Sequence, residues 1–197
     1  KNGRGGEKEI TRRRDTALAS TTPKVRMSTE AIEDSYPLSP MQQGMLFHSL
    51  YAPQAGVYSE QSICSLREDL NVPAFKKAWQ QVVDRHATLR TAFRWEGLDA
   101  PLQEVHRPVA PPWHEEDWRS ASASEREKRL ETYAEADRRR SFRLDEVPLM
   151  RLSLFRLEDA DYRFVWTYHH ALLDGGSRHN VLTEFFLFYD GFRRNHD

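Results

Sequence analysis

The chain has 197 residues, of which 29 are basic and 30 acidic, for a formal net charge of −1. With 30% charged residues and a mean hydropathy of −0.77, it reads as a soluble protein and not as a nucleic-acid binder. Its longest apolar runs fall far short of the ~20 residues a membrane span needs, while 39% apolar content suffices for one core.

No N-terminal stretch has the apolar segment of a signal peptide, and Cys64 is the single cysteine, so no internal disulfide is expected and a reducing cytoplasm fits. Cys64 lies in alternating, strand-like sequence and reads as a small buried hydrophobe rather than a nucleophile. Residues 1 to 34 carry little that could pack. Lys1 to Arg14 holds six basic residues against two acidic ones, with Gly3, Gly5 and Gly6 between them. This is the composition of a flexible linker or tail. Docking of Arg12, Arg13 and Arg14 on an acidic partner or nucleic acid is the sharper but weaker reading.

The folded part, 35 to 197, opens with a helix signal. Ser39 as N-cap, Pro40 at the first helical position and Gln42 three residues on make a capping box. Met41, Met45, Leu46, Ser49 and Leu50 form the expected buried stripe of a helix to about Tyr51, leaving Gln43 and His48 as polar members. Tyr58 to Leu70 alternates and predicts a strand. Phe75, Ala78, Trp79, Val82 and Val83 share one helical face, and the helix is expected to run to about Leu89. Arg90 to Glu96 and Leu102 to His106 predict a hairpin across Gly97. Val109 to Arg119, rich in proline and acid, reads as a loop. The spacing of His114, Glu115, Glu116 and Asp117 fits no standard metal set. Ser124 and Glu127 suggest a capping box for a charged helix to Arg140, with Glu125–Arg129 and Glu135–Arg139 as supporting pairs. Leu149 to Leu157 and Tyr162 to His169 predict two strands, and Val181, Leu182, Phe185, Phe188 and Tyr189 the apolar face of a last helix.

Between that strand and that helix lies YHHALLDGGS, Tyr168 to Ser177. Side chains alternate along a strand, so His169 and His170 point to opposite faces. One can support the structure while the other meets a cavity. The Gly175-Gly176 pair is expected to supply a tight turn with positive φ, and Ser177 to cap the helix. A metal shared by His169, His170 and Asp174 is disfavoured, because neighbouring strand residues do not converge on one ion. Two merely buried, satisfied histidines are the plain alternative.

His169-His170-Ala171-Leu172-Leu173-Asp174-Gly175 resembles the HHxxxDG motif of non-ribosomal peptide synthetase condensation domains. Two further stretches occur in the family's order. SPMQQGMLFHSL, Ser39 to Leu50, is similar to its first core motif, and RHATLRTAF, Arg85 to Phe93, to its second. The resemblance implies an α/β fold like chloramphenicol acetyltransferase, with a central, mostly antiparallel sheet flanked by helices. That lobe would be one half of a V-shaped two-lobe domain. It implies amide formation, in which a carrier-bound amine attacks a carrier-bound acyl or peptidyl thioester.

In that reading His170 does the chemistry. An imidazole with a pKa near ~6.5 can accept or share the amine proton, or position the amine. Asp174, four residues past His170, could orient the imidazole as a triad acid would; the resemblance instead gives His169, Asp174 and Gly175 supporting roles, Asp174 through a salt bridge to an arginine. It makes Arg85 and Arg90 buried arginines that steady the active-site loop. For Arg85 and Arg90 the plain reading is charge at a helix end. Gln43, His48, Gly176 and Ser177 are candidate channel residues. No directly bound cofactor and no metal is implied. Substrates would arrive on the phosphopantetheine arms of donor and acceptor carrier proteins, in an assembly line that includes an adenylation domain. Residues 1 to 34 would connect to an upstream carrier.

The chain departs from the family at Gly176, where an aromatic often follows, at Arg178-His179, where aliphatics are common, and at Ala87, often acidic or proline. The resemblance covers residues 35 to 193, the N-terminal lobe. Without a C-terminal lobe the chain is expected to be inactive. A non-catalytic carrier-binding lobe and an epimerisation or ester-forming relative are the alternatives. The first motif favours condensation over epimerisation, and the intact histidine pair disfavours heterocyclisation.

Overall fold

The computed structural model describes residues 32–52 and 56–194. The stretch expected to be a linker lies outside the described residues as far as residue 31. The order of elements is β1 (Ile32–Pro37), α1 (Pro40–Tyr51), β2 (Ser59–Leu66), α2 (Val72–Arg85), a 3-10 turn (Ala87–Arg90), β3 (Thr91–Arg94), β4 (Leu102–His106), β5 (Trp113–Asp117), α3 (Ala123–Arg139), β6 (Met150–Glu158), β7 (Asp161–His169) and α4 (Gly175–Arg194).

The central sheet runs β2-β7-β6-β5, antiparallel except for the β5–β6 pair. β7 is its spine. Along β7 the even residues Phe164, Trp166 and Tyr168 face α2 and α4, as alternation requires. There Trp79 packs on Phe164, Trp166 and Phe185 at ring-centroid distances of 5.5, 5.0 and 4.8 Å. The apolar face of α2 is buried as predicted, from Ala74 and Phe75 to Val82 and Val83. The odd side carries Val165, which packs with Phe155, Leu157 and Trp118 beneath Leu130 and Tyr133 of α3. Thr167, next along that side, meets the buried Asp137–Arg151 pair, with hydroxyl to carboxylate at 2.5 Å.

A second sheet, β1-β4-β3, stands beside the first. Phe93 N of β3 donates to Leu144 O, in the loop between α3 and β6, at 2.7 Å.

Several expectations shift. The Val109–Arg119 stretch contains a strand, β5, paired in parallel with β6 from Trp113↔Leu152 to Asp117↔Arg156. Its prolines and charges mark an edge strand, where one side needs no ladder partner. α3 is capped by Ser122 and Glu125, two residues earlier than predicted. Both Ser-x-x-Glu frames exist in the sequence, and the buried Ala121, bonded back to Trp118 O, selects the first. α2 ends at Arg85, with the 3-10 turn beyond it. α1 has its predicted capping box, but Met41 and Leu50 lie outside the buried stripe at 70% and 45% exposure. Met45 and Leu46 alone carry that contact in full.

Gly175 and Gly176 take no left-handed φ, because they begin α4. Among the described glycines, positive φ belongs to Gly56 and Gly97. At Gly56 a Cβ would stand 2.8 Å from Arg138 O, so the chain passes the end of α3 only because that side chain is absent.

Candidate active site

β7 ends at His169 because the ladder runs out on both sides. His169 N donates to Leu149 O at 2.9 Å and His170 N to Tyr58 O at 2.8 Å. Beyond them the chain turns through Ala171, Leu172 and Leu173, all buried, and emerges at the exposed Asp174.

His169 is buried, with its ring between Tyr58 and Phe142. Its Nδ1 accepts from Ala171 N at 3.2 Å, and its Nε2 lies 3.4 Å from Ser49 Oγ. A ring nitrogen that accepts carries no proton, so Nε2 holds it. Burial first, then the neighbouring His170, lowers its pKa to about 4. His169 is therefore a neutral, fixed group at neutral pH. It borders a pocket of about 220 Å³ that Ser49, Tyr58, Trp95, Phe142 and Leu144 also line.

His170 differs. It is half-buried, and its Nδ1 is buried without a hydrogen-bond partner among the described residues. The pair thus divides, with the ring that ends β7 held and the ring in the turn beyond it unbonded at Nδ1.

Asp174 caps α4. Its Oδ1 accepts from Ser177 N at 2.7 Å, and its carbonyl accepts from Arg178 N at 3.0 Å. Those bonds from Ser177, before any other cause, hold its carboxyl below the ordinary range. The expected salt bridge to an arginine is absent among the described residues, and Ser177 sits inside the cap rather than forming it. The cap needs a short acceptor at the residue before Gly175, and Asp174 already supplies one. A Cβ on Gly175 would meet nothing within 4 Å, and one on Gly176 would meet only Asp174 Oδ1 at 3.6 Å.

The arginines also separate. Arg90 is buried, but it serves the junction of β1, β4 and α2. Its Nε donates to Val83 O at 3.0 Å, its Nη1 to His106 O at 2.8 Å, and it pairs with Glu33. It does not bond the His170 turn. Arg85 is exposed and pairs with Glu184 of α4 at 2.8 Å, joined there by His86 at 3.0 Å. Gln43 is exposed and donates to Leu38 O. His48 is exposed, with Nδ1 2.8 Å from Tyr58 Oη.

Two residues that sequence reasoning passed over do hold the turn. Thr88 Oγ1 donates to Leu172 O at 2.7 Å. Gln42 Nε2 donates to Ala171 O and to Gln103 Oε1, each at 3.2 Å, while its Oε1 accepts from Ser39 N at 3.0 Å. The three motif segments therefore meet at one place. The signal was present in their shared occurrence, but a capping glutamine and a threonine at a variable position announce nothing by themselves.

The model of the Condensation domain family matches residues 32–197. The chain belongs to the condensation-domain family. It is 49% identical over 158 residues to a linear gramicidin synthase polypeptide of Brevibacillus parabrevis, covering 80% of this chain and 3% of that protein. With bacitracin synthase 3 of Bacillus licheniformis it shares 37% over 168 residues, 84% of this chain and 3% of the relative. Among solved structures, the starter condensation domain of rhizomide synthetase RzmA superposes with a TM-score of 0.75 at 21% identity, over 83% of this chain and 41% of that one. The four-domain synthetase holo-AB3403, bound to AMP and glycine, gives 0.67 at 20%, over 78% and 12%. The structural likeness establishes the shared α/β fold, with mixed sheets flanked by four helices. This condensation-domain segment thus spans a small part of its curated relatives and well under half of the solved starter domain. Among its described residues no helix is long and apolar enough to cross a membrane, and no three His, Cys, Asp or Glu side chains cluster as a metal site.

Proposed function

We propose that this chain is the N-terminal lobe of a peptide-bond-forming condensation domain, with His170 as the group that meets the attacking amine. The observation that carries this reading is the division of the histidine pair. His169 is neutral and bonded at both nitrogens, whereas His170 Nδ1 is sealed off without a partner. That leaves His170 Nε2 to face a substrate.

The substrates are two thioesters on the phosphopantetheine arms of a donor and an acceptor carrier protein. The amine of the acceptor aminoacyl group attacks the donor's thioester carbon. The new C–N bond forms, the C–S bond breaks, and the donor arm leaves as a thiol. The amine must lose a proton along the way, and His170 Nε2 accepts or shares it while holding the nitrogen near the carbonyl. A thioester is already activated, so no nucleotide enters this step and no cofactor is bound directly. The partners are the two carriers, a C-terminal lobe and an adenylation domain of the same assembly line, all in the cytoplasm. Residues 1 to 31, ahead of β1, serve as a linker, three residues shorter than expected because Ile32 to Asp34 pair with β4, and the lobe alone does not turn over.

The test is a condensation assay with loaded carriers, following dipeptidyl thioester by mass spectrometry. It compares this chain alone, the chain with a cognate C-terminal lobe, and that pair carrying His170→Ala. Product from the pair only, lost in the variant, is the expected result. Product from the chain alone would overturn the two-lobe requirement. A folded pair without product would favour a carrier-binding or ester-forming role.

A further inference from the structure

We propose that Thr88 and Gln42 are positioning residues for His170, acting through the backbone of residues 171–173. This rests on the proposed role of His170. No bond holds His170 Nδ1 among the described residues, so the ring's aim is set by the peptide units on either side of it. The unit before is fixed by His170 N on Tyr58 O. The units after present two carbonyls, Ala171 O and Leu172 O, in a buried turn where an unmet acceptor would be costly. No ladder strand reaches them. Side chains do instead: Gln42 from α1 holds the first, and Thr88 from the 3-10 turn holds the second. Leu172 N on His169 O and Ala171 N on His169 Nδ1 complete the set.

The two donors are independent of each other. Thr88 lies after α2, in the second motif, and Gln42 in the first turn of α1, in the first motif. Each therefore transmits the position of a different element to one of the two residues that follow His170. An error of an ångström in a group that meets the reacting amine costs roughly a hundredfold in rate.

The experiment uses a complete two-lobe domain carrying this chain. Thr88→Val keeps the side chain's shape and removes its donor. Gln42→Glu keeps the capping acceptor, at a helix position where Glu is favoured, and removes the donor to Ala171 O. Each variant is expected to lower kcat roughly tenfold to a hundredfold with KM for both loaded carriers unchanged, at a temperature below the measured melting point. Thr88→Ser restores kcat. The pH dependence of kcat is expected to move in Thr88→Val and return in Thr88→Ser, which a purely structural role would not produce. Parental kcat in both folded variants, alongside an inactive His170→Ala, overturns the positioning role. So does failure of both to fold while Thr88→Ser folds, since the bonds then serve folding. An active His170→Ala overturns instead the reading of His170 itself.

Discussion

At His169 the packing turns a titratable group into a structural one. Its folded pKa is about 4, against an ordinary value near 6.5, because the ring is buried and, second, because His170 is a neighbouring charge. The sign follows from proton uptake. Between pH 6.5 and 4 the unfolded chain binds a proton that the folded one refuses, so stability rises with pH over that window. The contribution is complete above about 6.5 and is lost on acidification toward 4, on the order of 3 kcal/mol. Urea unfolding from pH 7 to 4 should show this loss, and His169→Asn, which keeps an acceptor for Ala171 N, should reduce the slope. An unchanged slope would assign the acid sensitivity elsewhere, first to the buried His106, whose pKa burial also lowers. The different surroundings of His169 and His170 were legible only in part, since alternation covers a strand and β7 ends at His169. The bonds of Arg85, Arg90 and Asp174 were not. A charge at a helix end looks the same in one dimension whether it meets Glu184, His106 O or water.

Among the elements, periodicity spoke clearly wherever one face was strongly apolar. α2 was legible to its buried residues, and β4 to its ends. β5 was hidden because an edge strand needs no alternation, and this one follows Pro111 and Pro112 and carries four polar residues in a row. The start of α3 was ambiguous for a local reason, two overlapping capping frames. That ambiguity gives a direct comparison. Ser122→Ala should cost about 1 kcal/mol, because it strips the cap from Glu125 N, whereas Ser124→Ala should cost far less. Equal melting shifts for the two variants would reject the observed frame.

Across the whole molecule, the central sheet is held by different forces on its two sides. The α2–α4 side is aromatic. The α3 side adds a polar knot to its smaller apolar cluster: Asp137 accepts from Arg151 Nε at 2.7 Å, from Thr167 and from Gln61, while Arg151 also donates to Asp137 O and Arg140 O. Breaking a buried pair leaves a charge with no partner, so Asp137→Ala should destabilise the fold by about 3–5 kcal/mol in chemical unfolding. A loss below 1 kcal/mol would mean that water already screens Arg151. The fold class was legible from three motifs in order, but their meeting point was not. That convergence depends on hydrogen bonds between residues as far apart as Gln42 and Ala171, and no local pattern encodes a partner at that separation.

The side-chain amide of Gln42 has two ends, each already occupied. The oxygen closes the cap of α1, and the nitrogen reaches Gln103 and Ala171. Glutamate could do the first task and lysine the second, while asparagine is too short to span them. Thr88 is under a looser demand, since serine also offers a hydroxyl. The bonds at the two positions therefore ask for different things: at Gln42 a donor and an acceptor on one long side chain, and at Thr88 a hydroxyl alone.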